Sequence, residues 1–199
     1  MSSPHRRHGY DRLEQELSDQ LAATLRKSVD LCKYPKSLID VIIMVIDCEG
    51  DVDSTNVSLG YLGILAGATT CASAAIAEAG IECIDLVSGG VSALIRSHDD
   101  KNAPGSPYIL VQDPSPEEHV PGEVVAGCAA VYMAHRQEVA AVWFRGSVQV
   151  GFSAKSESED LEILMDGAIA AAVKTREVLE DAIRDRFRYI LRRAGMGRT

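Results

Sequence analysis

Four carboxylates gather within Asp47-Cys48-Glu49-Gly50-Asp51-Val52-Asp53. Carboxylates at this density suit hard cations such as Ca²⁺, which take oxygen ligands. The spacing is not that of an EF-hand, and the later bidentate Glu is missing, so a solvated acidic loop is the stronger reading. A second acidic group, Asp113, Glu117, Glu118 and Glu123, could hold Mg²⁺ for phosphoryl transfer. Pro114, Pro116 and Pro121 favour instead a turn that merely carries acids. Ser88-Gly89-Gly90 could offer backbone N–H groups to an anion. No basic side chain adjoins it, and a simple strand break weighs more. His5, His8, His98, His119 and His135 are isolated, each read in a terminus, loop or turn. Cys32, Cys48, Cys71, Cys83 and Cys128 form no C-x-x-C and have no His at metal spacing. Each reads as a small core hydrophobe. Unpaired cysteines fit a reducing compartment. The chain contains no Walker A sequence, G-x-G-x-x-G, H-E-x-x-H or G-x-S-x-G. No metal or cofactor is expected.

With 199 residues, 46% apolar and 25% charged, the composition is that of one ordinary globular domain. It excludes disorder, collagen and a disulfide miniprotein. The formal net charge of −9 disfavours a basic nucleic-acid binder. The charge is uneven: residues 34–151 hold 5 basic and 15 acidic side chains. Near the end, Arg184, Arg186, Arg188, Arg192, Arg193 and Arg198 face only Asp185. That basic end suits a helix C-terminus; a phosphate-contacting tail is the alternative. Met1–Tyr10 carries no apolar stretch, so neither signal peptide nor anchor is expected. No apolar run is expected to reach the roughly 18 residues of a membrane span.

Leu13, Leu17, Leu21, Leu25 and Val29 recur at four-residue steps and predict an amphipathic helix over 11–32. Tyr34-Pro35 ends it. Residues 37–48, with Leu38-Ile39-Asp40-Val41-Ile42-Ile43-Met44-Val45-Ile46, predict a buried strand. Residues 49–63 read as a loop. The Ala-rich stretch 64–79 predicts a buried helix, with Gly80 as its C′ residue. A strand over 84–93 is broken at Gly89-Gly90. Short strands follow at 108–112, 124–133 and 138–144, with a turn at 134–137 and a further short strand at 148–152. A long helix spans 158–193. Its apolar stripe includes Leu161, Leu164, Ala168, Ala172, Leu179, Ile183, Phe187 and Ile190. The order predicts helices packed on a mixed sheet.

Several segments, in this order, resemble the RNase PH family. They are Lys33-Tyr34-Pro35-Lys36-Ser37-Leu38-Ile39-Asp40, the Ala-rich helix ending Ala77-Glu78-Ala79-Gly80-Ile81-Glu82, and Asp85-Leu86-Val87. Asp113-Pro114-Ser115-Pro116-Glu117-Glu118 and Met165-Asp166-Gly167-Ala168 complete the likeness, which covers roughly residues 11–190. The resemblance implies an α/β (α+β) fold of the ribosomal protein S5 domain 2-like type, here N-terminally truncated. It implies a polar tail at 1–10, one domain over 11–194 and a tail at 195–199.

Within that family the chain is most similar to the non-catalytic ring subunits of the RNA exosome. That likeness implies a ring of related subunits capped by RNA-binding proteins, RNA threading the channel, and pools in nucleus, nucleolus and cytoplasm. Catalytic members grip phosphate with a Gly-Thr-Arg-like helix start and hold metal with Asp residues after the acidic turn. Here the matching stretches read Gly67-Ala68-Thr69-Thr70 and His119-Val120-Pro121-Gly122-Glu123. A phosphate dianion without a cation lacks the stabilisation phosphoryl transfer needs, so no catalysis is expected. An active phosphorolytic exoribonuclease completed by a neighbour, and a metal enzyme using the Asp47–Asp53 loop, stay open as alternatives. Arg96, Lys101, Arg136 and Arg145 are the candidate RNA contacts, each weighed against an ordinary surface charge.

Overall fold

The computed structural model describes residues 4–48, 57–97, 108–115, 122–146 and 157–193. Helix α1 (Pro4–Ser28) starts with proline at its first position, where the missing N–H costs nothing. It begins seven residues earlier than its apolar stripe suggested and takes in the backbone of His5 and His8. Leu21, Leu25 and Val29 of the stripe are buried. A short 3₁₀ turn, Leu31–Lys33, follows.

Helix α2 (Leu59–Glu78) starts at the Ser58 cap, whose Oγ accepts from the Tyr61 N–H at 3.3 Å. At its far end Gly80 adopts φ +73°. Its N–H donates to the Ala77 carbonyl, and the Ile81 N–H reaches back to Ile76. That double bond is the Schellman arrangement, and it requires the left-handed residue that Gly80 supplies. The Ala-rich sequence lets α2 pack closely on the sheet beside α1, whose Leu25 and Lys27 also reach the sheet. At 20 residues, with an 18-residue window of mean hydropathy 1.5, α2 does have the length and composition of a membrane span. This corrects the expectation that no segment would. More than half of that window is buried within the fold, as in a core helix.

Four strands form one sheet in the order β2-β1-β3-β4: β1 (Ser88–Ser97), β2 (Tyr108–Gln112), β3 (Gly122–Met133) and β4 (Glu138–Gly146). Every described pairing is antiparallel, so the sheet is not mixed. A parallel pair needs a crossover of a dozen or more residues, usually a helix, and no helix is described between these strands. Helix α3 (Glu157–Arg193) covers the other face.

The strands alternate between two buried faces. Ala126, Cys128 and Ala130 of β3 pack with Leu164 and Ala168 of α3. The intervening Ala129 and Val131 join clusters on the α1–α2 side. Gly89 and Gly90 lie inside β1 and do not break it. A Cβ at Gly89 would fall on the Ala66 backbone of α2, and one at Gly90 on the Ala168 and Ala172 backbone of α3. The strand is therefore the thin centre of a three-layer stack. The Ser88 and Ser92 hydroxyls donate to the Ala172 and Leu164 carbonyls at 2.9 and 2.6 Å, tying it to α3.

Two further expectations are corrected. Residues 84–87 precede the strand and are not part of it. Residues 38–48 form no strand, and Leu38, Ile42, Met44 and Ile46 stand largely exposed. A strand needs a neighbour to satisfy its backbone, and no described segment pairs with this one. The strand expected at 148–152 lies outside the described residues.

Candidate functional site

The stretch Gly67-Ala68-Thr69-Thr70 is not a helix start. It lies in the middle of α2, because the helix begins at Leu59. Thr69 is fully buried and donates its hydroxyl to the Leu65 carbonyl at 2.7 Å. Thr70 Oγ1 donates to the Ala66 carbonyl at 2.9 Å and accepts from the Gly89 N–H at 2.9 Å. These donors are committed inside the fold, and the N–H groups of a helix interior bond within the helix. This stretch therefore offers a phosphate neither a cation nor a free N–H. Ser88-Gly89-Gly90 is likewise a packing device and not an anion nest.

Of the acidic turn, Asp113 takes φ 51° and donates its N–H to the Val91 carbonyl at 2.8 Å. Residues 116–121, including His119, lie outside the described residues. So does 49–56, most of the Asp47–Asp53 cluster. Asp47 itself accepts from the neighbouring Cys48 N–H at 2.9 Å. Among the described residues no three of His, Cys, Asp and Glu gather where a metal could bind.

The candidate RNA contacts are not gathered into one patch. Arg96, at the end of β1, donates to the Tyr108 hydroxyl at 3.1 Å, and its guanidinium lies over that ring. Arg145, near the end of β4, lies 4.8 Å from the Tyr61 ring centroid and 3.6 Å from Glu16. Arg96 and Arg145 share one end of the sheet, opposite Glu123 and Gly127 of β3. Their aromatic partners pack on opposite faces, Tyr108 towards α3 and Tyr61 towards α1–α2. Arg136 sits at the other end, in the β3–β4 turn, paired twice with Glu138 at 2.8 and 3.0 Å. Lys101 lies outside the described residues, as does His98.

The cysteines divide by environment. Cys128 is buried in β3, and desolvation pushes its thiol pKa up to about 12. Cys83 and Cys48 are half-buried, while Cys32 and Cys71 are exposed, so only Cys128 is the core hydrophobe all five were expected to be. The helical periods explain this: Cys32 follows the end of α1, and Cys71 falls on the outer side of α2. Cys32 and Cys71 should therefore react promptly with a maleimide at neutral pH, and Cys128 only after unfolding. Mass mapping of labelled peptides checks this.

The most structured polar group in the fold was not visible in the sequence. Arg176 of α3 is buried, and its Nη2 donates to Asp85 Oδ1 at 3.0 Å. Nη1 donates to the Leu86 carbonyl, and Nε to Glu180 at 2.7 Å. Asp85 in turn accepts from the His135 and Arg136 backbone N–H groups at 3.0 and 3.4 Å. The node joins α3, the entry to β1 and the β3–β4 turn. A signal was present: Arg176 continues the four-residue series Leu164, Ala168, Ala172, a basic residue on a buried stripe. Its buried members, Arg176 and Asp85, are spent on internal contacts.

The hydrogen bond from Arg176, then the nearby guanidinium charges, hold the Glu180 carboxyl below the usual carboxylate range, against partial desolvation. A depressed folded-state pKa adds stability that is full above the unfolded value, near 4.3, and lost as pH falls below it. Glu180→Gln should therefore cost about 1 kcal/mol at neutral pH and flatten the acid limb of stability against pH. Urea titrations across that range measure both effects.

Residues 1–82 match the model of the 3′ exoribonuclease family, domain 1, the RNase PH domain. The chain is 36% identical over 183 residues to the exosome complex component MTR3 of Chaetomium thermophilum, and 34% identical over 170 residues to the mtr3 component of Schizosaccharomyces pombe. These alignments cover 89% and 85% of the chain, but only 60% and 56% of the two relatives. The likeness to the RNase PH family, and the α+β fold it implied, are thereby borne out.

Proposed function

We propose that this chain is a non-catalytic ring subunit of an RNA exosome core, of the mRNA-transport-regulator type. The observation that carries the reading is its similarity, over most of its length, to two proteins named exosome complex components. The commitment of Thr69 and Thr70 to internal hydrogen bonds supports a role without catalysis. A net charge of −9 also favours docking to protein neighbours over independent RNA binding.

On this reading the partners are related ring subunits and RNA-binding cap proteins. RNA passes through a shared channel during 3′-to-5′ processing and decay, in nucleus, nucleolus and cytoplasm. Arg96, Lys101, Arg136 and Arg145 make at most weak, salt-sensitive phosphate contacts. Arg96, Arg136 and Arg145 would have to trade internal partners for RNA. Affinity purification of the tagged chain from cells, followed by mass spectrometry, tests the assignment. Co-purification of related ring subunits is expected, and their absence overturns it. Release of nucleoside diphosphates from RNA and phosphate by the purified chain would overturn the non-catalytic part.

A further inference from the structure

We draw no further inference here: the strongest candidate, the half-exposed apolar row Phe187, Ile190 and Leu191 on the arm of α3 beyond Leu179, is an unpartnered helix face, and nothing in the structure shows what covers it.

Discussion

Cutting Arg176 back to alanine is expected to destabilise the chain by about 3–5 kcal/mol, the usual cost of breaking a buried ion pair from one side. For a chain of this size that is a fall in Tm of about 6–20 °C. The cause is what the deletion leaves behind. Asp85 stays buried with its carboxylate, keeping only the His135 and Arg136 N–H groups, and the Leu86 carbonyl loses its donor. A double change, Arg176→Met with Asp85→Leu, removes both charges and should cost less than the two single changes together. Urea unfolding of the four proteins closes the cycle. Additive losses would mean that the pair is not coupled and that the node does not hold α3 to the sheet.

The second large effect is expected at Gly90. Gly90→Val should give a chain that fails to fold or loses more than the roughly 1–3 kcal/mol of ordinary overpacking. The new Cβ would land on the backbone of Ala168 and Ala172, which cannot rotate aside as a flexible side chain can. Gly67→Ala is the control. Gly67 is exposed within α2, and a Cβ there meets nothing within 4 Å. Alanine should stabilise that helix by about 0.5–1 kcal/mol. Soluble yield and thermal melts of the two variants check the contrast. A Gly90→Val protein that melts like its parent would mean that β1 and α3 are not in close contact.

These two sites mark where sequence reading reached and where it stopped. The stripe Leu13–Val29, the Ala-rich run of α2 and the short apolar runs of β3 and β4 report one element each. Local periodicity is enough to find such elements. The turn at 134–137 was legible for the same reason, as was the Schellman end at Gly80. Gly89-Gly90 was misread because glycine signals both a break and a close approach, and only the facing Ala66 and Ala172 decide between them. The start of α2 was missed because Gly60 and Gly63 look like turn residues, although Gly60 is buried against its neighbours. Residues 38–46 carry a strand pattern, but a pattern cannot supply the strand that would lie beside it. For the site, the lack of an Arg at Gly67–Thr70 was visible in the sequence. The internal use of Thr69 and Thr70 was not. Arg176 escaped notice because one arginine among many reads as a solvated charge until its burial is known.

Helix α3 has 37 residues, so it runs about 55 Å at 1.5 Å per residue. A strand the length of β1 spans only about 33 Å, and the buried positions of α3 end near Leu179. Beyond that point the helix is held by surface ion pairs such as Arg186 with Glu78 at 2.6 Å. One continuous helix is therefore two thermodynamic bodies. Amides before Leu179 open only when the whole domain opens, whereas those after it exchange with deuterium through local fraying. A protease that samples frayed ends would trim the arm and leave the three layers intact.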